Sequence, residues 1–261
     1  MKIIQKLLAV LLFVAGTQSY AQTADEIIGN YLENIGGLEK LKSLKSLKIE
    51  AKVNQGGMEF PVQVVYLKDG RQSTSYEIQG KKLNDDVFDG EVLWSTNFMT
   101  MKAEKSDAEA TANFKLDAND FPDPFVDYKE KGYTIELMGK ETIDGAETFK
   151  IKLIQEPVTV DGKKEENISY YFFETESFVP LVMQTEIKSG QGKGMISEIV
   201  FGDYQEVNGL YFPFSMTQGV KGQPGAPIVI KSIKLDSEID ESIFAFPEDV
   251  AKEETTTKEK E

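Results

Sequence analysis

Acids are the commonest chemistry-bearing residues in this chain, with 44 Asp and Glu against 29 Lys and Arg. They cluster twice, at Asp85, Asp86 and Asp89, and at Asp117, Asn119, Asp120 and Asp123. The second cluster begins like a calcium-binding loop. It lacks the glycine at the sixth position and the glutamate at the twelfth that such a loop uses to turn and to ligate. A solvated acidic loop explains both clusters, and no metal is expected. Paired carboxylates could hydrolyse glycosides, but with so many acids close pairs arise by chance and nothing singles one out.

Other chemistry is removed by absences. The chain has no Cys and no His. That excludes disulfides, thiolate nucleophiles, Cys-ligated zinc, Ser-His-Asp catalysis and HExxH metalloprotease chemistry. It also excludes the N-terminal Cys that lipid attachment needs. No GxGxxG, P-loop or GxSxG pattern occurs, so nucleotide binding and α/β-hydrolase chemistry have no support. Asn167-Ile168-Ser169 matches a glycosylation sequon, a pattern that by itself assigns no function. The net charge of −15 argues against a nucleic-acid partner. No catalytic residue and no cofactor is expected.

Aromatic residues are more informative. Tyr170, Tyr171, Phe172, Phe173 and Phe178 fall in one hairpin, and Phe201, Tyr204, Tyr211, Phe212 and Phe214 in the next. Side chains alternate across a strand, so aromatics stand on both faces and both faces need cover. Ordinary core packing explains any one of them. Taken together, they point to a curved sheet with too few helices to fill it, which leaves apolar concave space for an apolar ligand.

The elements that would hold this surface are legible. Residues 1–21 read as a secretory signal: Lys2 and Lys6, an apolar run from Leu7 to Val14, and Ser19-Tyr20-Ala21 before a cut after Ala21. The apolar run is too short to span a bilayer. A domain over 22–247 follows, then an acidic tail over 248–261 with the composition of a disordered segment. Thr23 and Glu26 make a capping box for a helix whose Ile27, Ile28, Tyr31, Leu32 and Ile35 share one face, ended by Gly36-Gly37. About eleven strands follow, joined by turn signals such as Asp69-Gly70, Asp89-Gly90, Asp144-Gly145, Asp161-Gly162 and Asn208-Gly209. The expected fold is mainly β, a single strongly curved antiparallel sheet. Residues 104–130 interrupt it with a second capping box, Ser106 and Glu109, and then Phe121-Pro122-Asp123-Pro124-Phe125. Such an insert is expected to be a lid or binding loop.

Five segments resemble the LolA/LolB-type outer membrane lipoprotein-sorting family. They are the opening helix with Gly36-Gly37 running into Leu44–Glu50; Asp89-Gly90-Glu91-Val92-Leu93-Trp94; Tyr171-Phe172-Phe173-Glu174 with Val179-Pro180-Leu181; the stretch from Phe201 through Asp203-Tyr204 and Gly209 to Phe212-Pro213; and Ile239-Asp240-Glu241-Ser242-Ile243-Phe244. The set spans nearly all of the chain after residue 21. The resemblance implies an unclosed β-barrel of about eleven strands, an N-terminal helix, a helical lid and a cavity for acyl chains. It implies a LolA-like, soluble periplasmic monomer, a carrier or chaperone rather than an enzyme. Its partners would be lipid or lipoprotein acyl chains and proteins of an envelope transport complex. Phe60, Val62, Val64, Tyr66, Trp94, Phe172, Tyr211 and Phe214 are the expected cavity wall. Phe114, Leu116, Phe121 and Phe125 are the expected lid, and Arg71, the single arginine, is the expected lid contact. A lipid- or lipoprotein-sensing module of an envelope complex, or an unrecognised hydrolase, are the alternatives.

Overall fold

The computed structural model describes residues 22–247. The export signal and acidic tail expected at either end lie outside the described residues.

Helix α1 (Ala24–Asn34) begins at the expected capping box. The Thr23 amide donates to Glu26 Oε2 at 2.8 Å, and the Glu26 amide donates to Thr23 Oγ1 at 3.2 Å. Ile27, Ile28, Tyr31 and Leu32 are buried on one face. A short helix α2 (Leu38–Ser43) follows, burying Leu41. The chain then enters one antiparallel sheet. Its first half comprises β1 (Ser46–Gln55), β2 (Met58–Leu67), β3 (Gln72–Ile78), β4 (Lys81–Phe88), β5 (Leu93–Thr96) and β6 (Ala103–Lys105). Helix α3 (Ala108–Ala118) interrupts it. The second half comprises β7 (Thr134–Ile143), β8 (Ala146–Val160), β9 (Lys163–Glu174), β10 (Pro180–Glu186), β11 (Ile196–Val207), β12 (Leu210–Val220) and β13 (Ala226–Leu235). The sheet has 13 strands rather than about eleven.

The additional strands are β4 and β6. β4, Lys-Lys-Leu-Asn-Asp-Asp-Val-Phe, hides its alternation behind a bulge. Asp86 sits at φ 47°, and the pairing with β3 shifts there. Leu83 and Val87 therefore face opposite sides despite their even spacing.

Sheet order is β6-β5-β4-β3-β2-β1-β13-β12-β11-β10-β9-β8-β7. Each strand pairs with its chain neighbour, except where β1 pairs with β13 and joins the two halves. Asp236 secures that joint, its Oδ1 accepting from the Lys45 amide at 2.7 Å and the Ser46 amide at 3.1 Å. The free edges, β6 and β7, are consecutive in the chain. Residues 106–133 run between them, so the insert lies across the seam of an unclosed barrel.

Glycine is required where α1 ends. Gly36 has φ +121°, and a side chain there would collide with the Gly209 carbonyl and Leu210. The Tyr211 amide donates to the Ile35 carbonyl at 2.9 Å. These contacts hold the helix end against the β11–β12 turn. Gly36→Ala is expected to destabilise the protein by about 2 kcal/mol or more, lowering the thermal midpoint by roughly 4–8 °C. Circular-dichroism melts check this, and an unshifted midpoint contradicts the close packing.

Candidate functional site

Directly paired residues of antiparallel strands share a face, so pairing lays out the concave surface in rows. Tyr66, Leu47 and Leu235 lie in one row; Val64, Ile49 and Ile233 in the next; then Val62 and Ala51 with Ile230; then Phe60, Val53, Ile228, Met216 and Phe201. Across the second half, the same face carries Leu137, Ile151, Tyr171, Met183 and Ile199.

One end of this surface is filled. α1 packs against β7, and its Ile27, Ile28, Tyr31 and Leu32 form a buried cluster with Phe149, Ile151, Leu153, Phe173 and Leu210. Phe125, 1% exposed, packs at the centre of an aromatic group, with Tyr171 at 4.9 Å, Phe173 at 5.6 Å and Tyr31 at 6.0 Å between ring centroids. Phe121 touches both this cluster and the one around Leu47, Ala51, Ile230 and Ile233. The other end has no such cover. Val53, Phe60, Val62, Val64, Ile199, Phe201, Phe214, Met216, Ile228 and Met183 are all only partly buried. The result is an apolar trough, plugged at one end and open at the other.

The insert is held by polar clips. Tyr31 Oη donates to Asp123 Oδ2 at 2.6 Å, and the Phe125 amide donates to Asp123 Oδ1 at 2.8 Å. Asp120 accepts from Gln155 Nε2 at 2.5 Å, Tyr133 Oη at 3.0 Å and Lys131 Nζ at 3.4 Å. α3 spans the seam. Phe114 packs edge-on to Phe88 at 5.5 Å, on the β4 side. On the β8 side, Asn113 pairs with Thr159 as a strand would: its Nδ2 donates to the Thr159 carbonyl at 2.6 Å, and the Thr159 amide donates to its Oδ1 at 2.8 Å. The helix cap differs from the sequence expectation. Asp107 caps α3 by accepting from the Ala110 amide at 2.7 Å. Glu109 instead accepts from the Asp161 and Gly162 amides at 2.9 and 2.8 Å. α3 buries only Ala118 fully, and a segment with so few apolar contacts opens more readily than the core.

The expected site residues divide by face. Phe60, Val62, Val64, Tyr66 and Phe214 stand on the concave side. Trp94, Phe172 and Tyr211 do not, which corrects their expected placement. Trp94 faces away from its neighbour Leu93, which packs under α3 with Phe88 and Ala118. It lies beneath the C-terminal segment, its Nε1 donating to the Phe244 carbonyl at 3.1 Å and its ring edge-on to Phe246 at 5.7 Å. Phe172 points opposite to Tyr171 and Phe173. With Val182 and Val200 it lines a convex hollow of about 250 Å³. Tyr211 pairs with Glu206, opposite Phe212, and is 41% exposed.

Among the lid residues, Phe114, Phe121 and Phe125 pack as described, while Leu116 is only partly buried. Arg71 does not reach the insert. It binds Asp69 at 2.8 Å and Glu241 at 3.3 Å, and its guanidinium lies 5.3 Å from the Phe244 ring. A Cβ built on its neighbour Gly70 would lie 3.6 Å from Ala118 of α3. The residues that sequence reasoning missed, Val53, Met183, Ile199, Phe201, Met216 and Ile228, alternate regularly along strands the sequence did reveal. Strand order was needed to place them together.

Solved structures share this fold. A DUF1329 family protein from Desulfovibrio piger ATCC 29098 matches at TM-score 0.50 and 12% identity. A LolA superfamily protein from Nitrosomonas europaea matches at TM-score 0.52 and 14% identity. Each alignment covers 86% of this chain and 98% of the other. The fold is LolA-like. No family model and no curated protein sequence matches the chain. Among the described residues, no helix is long and apolar enough to cross a membrane.

The insert carries a titrating seat. Burial raises the Asp123 carboxyl against its donors, and it raises Asp120 despite Lys131, Tyr133 and Gln155. Asp117 is exposed at its tip, yet desolvation by the surrounding insert, and then Asp120, push it up to about 6. Its ordinary value is 3.8, so between 3.8 and about 6 the folded state binds more protons than the unfolded state. Stability therefore falls as pH rises through that window. Asp117→Asn is expected to raise the thermal midpoint at about pH 7 and to shrink the gain that wild type shows on acidification to about pH 5. Melts of both proteins at both pH values check this. An undiminished gain in the variant assigns the effect elsewhere.

Proposed function

We propose that this chain is an exported carrier or chaperone that holds acyl chains of a lipid or lipoprotein in the concave trough, with no chemical step. The observation that carries the reading is the graded cover of one apolar face. Helices and aromatics seal one end, while Val62 and the far row of Phe60, Val53, Met216 and Phe201 keep partial exposure. An extended hydrocarbon suits such a surface because it needs no polar partner and gains about 0.8 kcal/mol per buried CH₂. Roughly a dozen buried methylenes give a gross gain on the order of 10 kcal/mol, from which immobilisation and lid opening subtract. The LolA-like fold supports the reading. So do the 1–21 signal pattern, which directs the chain to the periplasm, and the polar clips of the insert, which give a carrier a seam that reopens. The protein acts in this reading as a monomer.

Native mass spectrometry with lipid extraction tests for a co-purifying acyl lipid. Val62→Glu and Phe214→Glu each place a carboxylate on the trough floor. Each is expected to weaken binding of a fluorescent acyl probe about tenfold or more, equivalent to about 1.4 kcal/mol. Far-UV circular dichroism verifies the fold of each variant. Unchanged probe affinity in both folded variants rejects the trough as the binding surface.

A further inference from the structure

The turns at the two ends of the sheet differ sharply in charge. Six hairpin turns lie at the open end: β1–β2, β3–β4, β5–β6, β8–β9, β10–β11 and β12–β13. With one flanking residue on each side, they carry Lys81, Lys102, Lys163, Lys188, Lys193 and Lys221 against two acids, Asp161 and Glu186. The five turns at the plugged end carry Asp69, Asp89, Glu91, Asp144, Glu174 and Glu176 against Lys68 and Arg71. A chain of net charge −15 thus presents one positive rim, and it surrounds the open end of the trough.

The same rim holds most of the exposed apolar bulk. Among the described residues eight large hydrophobic residues are exposed, and five lie in or beside these turns: Met58, Phe98, Met99, Met101 and Met195. Met99 is 94% exposed at the β5–β6 tip. Phe98 beside it is 60% exposed and stacks on Tyr76 at 6.5 Å. Internal pairing neutralises the rim only in part. Lys188 meets Glu186 at 3.1 Å and Lys193 meets Asp161 at 3.5 Å. Glu104, just past the β5–β6 turn, accepts from Asn97 and Thr100, and Glu109 of α3 adds one carboxylate at the β8–β9 turn, which leaves the lysines in excess. Among the described residues, Lys81, Lys102, Lys163 and Lys221 form no ion pair.

We propose that this rim docks on an anionic lipid bilayer, with the Met and Phe tips entering the headgroup layer and the open end of the trough facing the membrane. The chemistry favours a bilayer over a folded acidic partner. The apolar tips are separate and distributed over several turns rather than joined into a groove, and lysines beside them can extend to headgroup phosphates while their stems remain in apolar surroundings. Acids at the far end orient the molecule, since an anionic surface repels that end and attracts this one. The docking goes beyond ligand binding in the trough and does not depend on what the trough holds.

Co-sedimentation of the full mature protein with vesicles tests it. Binding is expected to vesicles of phosphatidylcholine containing phosphatidylglycerol at low salt, with little binding to phosphatidylcholine alone. It is expected to weaken as salt shortens the Debye length below about 10 Å. The triple variant Lys102→Glu, Lys163→Glu, Lys221→Glu is expected to bind at least tenfold more weakly while still taking up the acyl probe. Phe98→Ser with Met99→Ser is expected to weaken binding and keep its salt dependence. Lys68→Glu, at the plugged end, is expected to change nothing. Three results overturn the proposal: no binding to the anionic vesicles at low salt, equal binding to both vesicle types, or undiminished binding by the triple variant. A protein that docks on vesicles but takes up no acyl probe rejects the carrier reading and leaves the docking surface standing.

Discussion

One curved sheet has an apolar concave face that its own strands cannot cover, and this chain has only three α-helices among its described residues to cover it. Everything else in the architecture follows from where those helices go. α1 and α2 occupy one end and bury Ile27, Ile28, Leu32 and Leu41 against the sheet. The aromatic loop around Phe121 and Phe125 extends that cover toward the middle. Beyond it the supply of apolar side chains from outside the sheet runs out, and Val53, Phe60, Phe201 and Met216 stay partly open to water. The area term that stabilises the plugged end is left incomplete at the other.

The seam poses the second constraint. An open sheet has two edges, and unpaired backbone groups invite pairing with other chains. Here one segment joins the two edge strands, because β6 and β7 are adjacent in the chain. Its helix α3 supplies side chains, in place of a strand, to the part of β8 that runs past the pairing with β7. Asn113 satisfies both backbone groups of Thr159, and Glu109 accepts from the two amides of the β8–β9 turn. Polar clips of this kind suit a closure that must reopen. They fix geometry through a few hydrogen bonds, each with a modest net contribution in contact with water, whereas a packed helix would hold through buried area. The neighbouring carboxylates Asp117, Asp120 and Asp123 share this compromise, since all three are kept above their ordinary pKa by desolvation.

Much of the fold was legible because its signals are local. The Thr23–Glu26 box, the apolar face of α1, the Asp-Gly and Asn-Gly turns and the position of the insert all appear in the structure where the residues put them. β4 was not legible, since the bulge at Asp86 breaks the two-residue period that identifies a strand. The candidate wall was half legible for the same reason of parity. Phe60, Val62, Val64 and Tyr66 alternate with polar or smaller residues, and they share one face of the sheet. In Tyr170-Tyr171-Phe172-Phe173 every residue is aromatic, so composition gives no preference between faces. Phe172 proved to belong to the convex side, beneath Lys150, whose Nζ lies 5.3 Å from its ring centroid. Trp94 was misplaced because its cover, Phe244 and Phe246, arrives from the far end of the chain.

The sequence by itself determined the class of fold, the antiparallel connectivity, the site of the insert and the absence of cysteine and histidine chemistry. These depend on residue type and on spacings of a few positions. Only the tertiary structure decided which strands meet at the β1–β13 joint, which aromatics share the trough, that Arg71 secures the C-terminal segment instead of the insert, and that lysines from separate turns form one rim. Those facts depend on contacts between residues more than a hundred positions apart, such as Arg71 with Glu241 and Trp94 with Phe244. No periodicity encodes such contacts. They are fixed when the sheet curls and brings distant strands into register.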